Sequence, residues 1–195
     1  SNTEQAVVIY VGAAPRNRIS DTAALFPNVK FVLIAPSTHH ILFNDTDHYD
    51  REHAGKVLYF QAAPQPNRAI SQKVMLHTGP TARARDHIVG EIPADIANII
   101  LNTTHQFYVI ENYFTDELAA LLSVIPNLYF ISDVRSNISK DYPSDLDICW
   151  NSALMYNWVA KLQPRKFMLK FRCPWPINSR SIGEFNDELT ADHYD

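Results

Sequence analysis

Apolar runs that do not alternate constrain this chain more than any other feature. Ala6–Val11 reads AVVIYV. Six apolar residues in a row leave no polar face, which is the pattern of a strand buried on both sides in a parallel sheet. Lys30–Ile34 (KFVLI), Gln106–Ile110 (QFYVI) and Asn127–Ser132 (NLYFIS) repeat it, and Phe167–Arg172 makes a fifth strand. Helices fit between them. Ile19, Ala23 and Phe26 stand at helical spacing, and Pro27 stops that helix. Thr115 caps the next, with Asp116 and Glu117 in its first turn and Leu118, Leu121, Leu122 and Ile125 as its apolar face. Ser144 and Asp147 form a capping-box pattern, opening a helix that should bury Leu146, Trp150, Leu154 and Trp158 and end near Pro164. Strand and helix alternate, so the expected class is α/β, with a mostly parallel open sheet and helices on both faces.

Residues 37–95 break the rhythm. They hold strand-like Lys56–Gln61 (KVLYFQ) and Lys73–His77 (KVMLH) on either side of Ala63-Pro64-Gln65-Pro66-Asn67, which predicts an inserted hairpin or small excursion. With 195 residues, 46% of them hydrophobic, the chain is expected to form a single domain spanning 1–195 around that insertion.

Composition limits the partners. Charged residues are 19% of the chain and the net charge is −4, so any RNA contact must come from a local patch. No run approaches the roughly 18 apolar residues of a membrane span, and no secretory signal is expected. Cys149 and Cys173 lie in apolar patterns and read as buried free thiols of a reducing compartment. His39, His40, Asp45, Asp47, His48, Asp50, Glu52 and His53 have no standard ligand spacing, so a solvated loop is expected and no metal. Arg83 and Arg85 read as loop surface.

Three segments carry candidate chemistry. Tyr10-Val11-Gly12-Ala13-Ala14-Pro15 is a strand followed by a small-residue turn, which lets backbone approach a ligand at the strand's carboxyl end. Asp133 ends an apolar strand in Ile131-Ser132-Asp133-Val134-Arg135-Ser136, again where open α/β sheets bind ligands. In Leu169-Lys170-Phe171-Arg172-Cys173-Pro174-Trp175-Pro176, alternation puts Phe167, Leu169 and Phe171 on one face and Met168, Lys170 and Arg172 on the other. A lysine inside an apolar strand should be paired, or have its pKa lowered.

With Trp150–Trp158 (WNSALMYNW) and Phe114-Thr115-Asp116-Glu117, these segments resemble the poxvirus cap-specific mRNA 2′-O-methyltransferase family. Its members also serve as poly(A) polymerase stimulatory subunits, and relatives occur in other large cytoplasmic DNA viruses. The resemblance covers residues 6–36 and 106–176. It implies a Rossmann-like methyltransferase fold, S-adenosylmethionine as cofactor, capped mRNA as substrate, and work in the host cytoplasm or virion. It implies that Asp133 and Lys170 belong to the catalytic tetrad, with Lys170 as the base for the ribose 2′-hydroxyl. Gly12, Ala13, Ala14, Pro15, Ala35, Phe114 and Asp133 would border the cofactor. Arg135 and Arg172 would line the RNA path, and Trp175 would stack on the methylated cap guanine.

The departures define an alternative. Arg16 stands where the family's turn has its last glycine, Ala35 where it has a ribose-binding acid, and Ile177 where it has a cap-reading acid. The tetrad's first lysine has no counterpart, and only Glu184 and Glu188 remain for its glutamate. The chain is then a piece of a longer protein, or its sites have decayed. In the second case it would be an inactive methyltransferase-like subunit that binds or stimulates a poly(A) polymerase or capping-enzyme subunit. A dinucleotide-dependent oxidoreductase fits poorly, because the chain has neither a GxGxxG turn nor an acid ending its second strand.

Overall fold

The structure is a computed structural model, and it describes residues 5–14, 18–36, 39, 41–43, 46–47, 56–61, 86–89, 92–135 and 145–171. Its strands are β1 (Val7–Val11), β2 (Lys30–Ile34), β3 (Leu42–Phe43), β4 (Thr46–Asp47), β5 (Val57–Gln61), β6 (Asp86–Val89), β7 (Phe107–Glu111), β8 (Leu128–Ser132) and β9 (Lys166–Leu169). Its helices are α1 (Ile19–Ala24), α2 (Ile96–Asn102), α3 (Asp116–Leu122) and α4 (Asp145–Leu162). Seven strands form one open sheet in the order β6-β5-β7-β2-β1-β8-β9, and every pairing in it is parallel. β3 and β4 pair separately and antiparallel.

The expected α/β class with helices on both faces is the one observed. Val7, Ile9 and Val11 face a core shared with α2, α3 and α4, whereas Tyr10, Phe31 and Leu33 face Ala23 of α1. Burial on both faces is why these strands show no alternation, each large side chain contributing about 1.5–3 kcal/mol of transfer free energy. The β8 strand lies beside β1, and β9 lies beside β8. Thr115 caps α3 as expected, its hydroxyl accepting from Leu118 N at 3.2 Å.

Four expectations need correction. Val57–Gln61 is no excursion: β7 and β6 occupy its two edges, both parallel, so no hairpin partner can pair with it. Lys73–His77 lies outside the described residues. The helix α1 ends at Ala24, and Phe26 is exposed rather than part of its apolar face. The buried face of α4 runs through Ile148, Met155, Trp158 and Leu162, while Trp150 is 46% exposed. Steps of four residues drift about 40° each, so a 146–150–154–158 stripe cannot stay on one side of a straight helix. Cys149 sits on that solvent side and is an exposed free thiol, and Cys173 lies outside the described residues. Among the described residues, no helix is long and apolar enough to cross a membrane.

Candidate functional site

From β1 the chain steps to β2 on one side, and later places β8 on the other side of β1. The sheet's direction of winding therefore reverses between β1 and β8, and open α/β sheets bind ligands at the carboxyl ends flanking such a point. The register fixes which residues meet there. Val11 pairs with Ile34 and with Ser132, Ser132 with Leu169, and Ile34 with Ile110. The next residue on each strand makes one further row across the sheet: Glu111, Ala35, Gly12, Asp133 and Lys170. Ladder hydrogen bonds carry on into that row. Gly12 N donates to Ile34 O at 2.8 Å, Ala35 N to Ile110 O at 3.2 Å, Asp133 N to Val11 O at 2.9 Å and Lys170 N to Ser132 O at 2.8 Å. Neighbours in this row are roughly 4.8 Å apart.

Gly12 has φ +80°, a conformation in which glycine carries no Cβ penalty. A Cβ there would stand 2.9 Å from the carbonyl oxygen of Asp133. The glycine thus lets the β1 turn close onto the end of β8, joining two segments that are far apart in sequence. Ala13 is buried, and Ala14 is half-buried beside it.

Lys170 Nζ lies 2.6 Å from Asp133 Oδ1, with the side chains 41% and 30% exposed. The lysine was expected inside an apolar strand. It stands one residue past β9, at the sheet's edge, and meets its need for a partner through the carboxylate next to it. An ion pair this open to water adds little to stability, so its value lies in where it holds the two groups. A cleft of about 390 Å³ opens beside the pair. Val8, Tyr10, Phe31, Ile131 and Met168 form its walls, Ile19 and Thr22 of α1 border it, and Asp133 and Lys170 supply its charge.

Not every predicted residue gathers there. Phe114 is a core ring, edge-on to Trp158 at 5.0 Å and tilted against Phe130 at 5.9 Å, and it does not line the cleft. Large aromatic area is stabilised by that packing, which accounts for its place in an apolar pattern. Ala35 is buried and presents no polar group. Arg135 is half-buried, and its Nη1 is enclosed without a hydrogen-bond partner. Pro15, Arg16, Arg172, Trp175 and Ile177 lie outside the described residues, as do Glu184 and Glu188. Of the polar cluster at 39–53, only His39 and Asp47 are described.

Two charged residues escaped the sequence reading. Glu111 ends β7 in the same manner as Asp133 ends β8, an acid closing an apolar strand, and its Oε1 accepts from His39 N at 3.4 Å. Lys30 opens β2 and is buried at 3% exposure. It lies at the opposite end of the sheet and donates to the carbonyls of Ile100 (2.5 Å), Thr103 (2.7 Å) and Leu101 (3.1 Å) at the end of α2. Burial pushes its ammonium below the ordinary lysine range.

No protein-family model matches the chain, and no curated protein is found to be significantly similar to it.

Proposed function

We propose that the chain is an S-adenosylmethionine-dependent methyltransferase acting on the ribose 2′-oxygen of the first transcribed nucleotide of capped mRNA, in the cytoplasm, as its resemblance to the poxvirus-type family implies. One observation carries the reading: Asp133 and Lys170 stand as a pair beside Gly12, at the point where the sheet reverses its winding. The cofactor supplies an electrophilic sulfonium methyl. Lys170, acting as the neutral amine, would take the proton from the 2′-hydroxyl as that oxygen bonds to the methyl group and the methyl–sulfur bond breaks, and Asp133 would fix where its Nζ points. Holding the hydroxyl in line with the methyl group supplies much of the rate. The largely apolar cleft next to the pair has a volume in the range of small-molecule pockets. Half-buried Arg135 follows Asp133 by two residues, and the resemblance gives it a place on the RNA path.

The residues of the row fit the cofactor. The backbone turn at Gly12–Ala14 would hold its methionine end. Buried Ala35 gives the ribose hydroxyls no acceptor, but Glu111 carries a carboxylate on the adjoining strand and is the residue to hold them. Calorimetry with S-adenosylmethionine tests this. Wild type should bind, and Glu111→Gln should bind about tenfold more weakly, the loss of one charged hydrogen bond.

Ala35 favours a second reading, an inactive subunit of the same fold that stimulates a poly(A) polymerase or capping enzyme. Absence of any heat with wild type would overturn the enzyme reading and leave that one.

A further inference from the structure

Charge is unevenly distributed along this acidic chain. Between Asp147 and Glu184 there is no acidic residue, yet Lys161, Arg165, Lys166, Lys170, Arg172 and Arg180 all fall there. The edge strand β9 lies within this stretch. Arg165 and Lys166 are exposed at its start and take part in no ion pair among the described residues. The same strand carries Phe167 at 56% exposure, and Phe171 follows it at 75%. Exposed phenylalanines beside unpaired cations gain nothing for the fold. No described strand pairs with the outer edge of β9.

We infer that the β9 edge, through Arg165, Lys166, Phe167 and Phe171, is a binding surface for single-stranded RNA. Cations beside exposed rings are the two components such a surface needs: charge that tracks phosphates, and flat faces on which unpaired bases stack whatever their sequence. A duplex offers the phosphates and hides the bases, so it satisfies only half of the surface. Alternation turns Phe167 and Phe171 away from the face whose Met168 and Lys170 line the cleft, so this surface is distinct from the cleft. The surface itself requires neither cap nor cofactor, and stands independently of methyl transfer.

The test is fluorescence anisotropy of the whole chain with an uncapped, labelled single-stranded oligoribonucleotide, without cofactor. Wild type should bind it more tightly than the matching duplex, and less tightly as salt rises. Arg165→Gln/Lys166→Gln should reduce the slope of log K against log salt by about 1.4, the value for two lost phosphate contacts on a single strand. Phe167→Ser should weaken binding about tenfold and leave that slope unchanged. Equal affinity of wild type and both variants would overturn the proposal. So would an acidic peptide that binds as tightly as the RNA and ignores Phe167→Ser, which would mark the edge as a site for an acidic protein. Uncapped RNA without cofactor separates this outcome from that of the methyl-transfer reading.

Discussion

Lys30 and Lys170 sit at opposite ends of the same sheet and solve opposite problems. Lys30 is buried, and three backbone carbonyls at the end of α2 surround its ammonium. Those carbonyls have no intrahelical donors, and the helix terminus favours a positive charge. The Tyr108 hydroxyl completes the group, donating to Ile100 O at 3.0 Å and lying 2.8 Å from Thr103 Oγ1. Everything there is satisfied within the protein. Lys170 has one carboxylate, stands 41% exposed and faces a cleft. A charge fully enclosed by its own fold serves stability, whereas a charge left half open at a strand's carboxyl end remains available to a ligand.

That contrast can be broken by substitution. Lys30→Met should be the most damaging change to stability, about 3 kcal/mol, because it strips donors from buried carbonyls. Equilibrium denaturation would show it as a lower midpoint with an unchanged slope. Gly12→Ala should follow at about 2 kcal/mol, from the positive φ together with the close approach to the Asp133 carbonyl. Tyr108→Phe should cost about 1 kcal/mol near neutral pH, and this cost should depend on pH. Burial holds the Tyr108 phenol above its ordinary value of 10.0. Above pH 10.0 the unfolded chain releases this proton before the folded one does, so the stability it contributes declines as pH rises further. The advantage of wild type over Tyr108→Phe should therefore shrink above that pH, and a constant difference would contradict the burial argument. Lys170→Met should have the smallest effect, under about 1 kcal/mol, because an exposed pair adds so little. A Lys170→Met loss as large as that of Lys30→Met would erase the distinction between the two ends.

Much of the fold was legible because parallel strands declare themselves locally. AVVIYV and KFVLI need no partner to be recognised as buried on both faces. Thr115 was legible as a cap for the same reason, since its acceptor role is settled within three residues. What escaped depends on distant partners or on short elements. The sequence reading passed over α2, seven residues whose Asp95 makes no side-chain cap. β6 is four residues, Asp-His-Ile-Val, placed only by its pairing with β5. Val57–Gln61 was recognised as a strand, yet its place between β6 and β7 rests on register that no local pattern encodes. The site divides likewise. Asp133 ends an apolar run and Lys170 interrupts one, and both were identified. That Glu111 shares their row is a product of the register between β2 and β7. That Phe114 is a core ring follows from Trp158 on a distant helix packing against it.

The half-open pair at the carboxyl edge is proposed to perform methyl transfer. Its most direct test is transfer from S-adenosylmethionine to capped RNA whose first transcribed nucleotide bears a free 2′-hydroxyl, comparing wild type with Lys170→Met. Wild type should methylate the 2′-oxygen and Lys170→Met should not, with cofactor affinity and folding stability nearly unchanged. Equal transfer by the two proteins, or none by a wild type that binds cofactor and RNA, would contradict it.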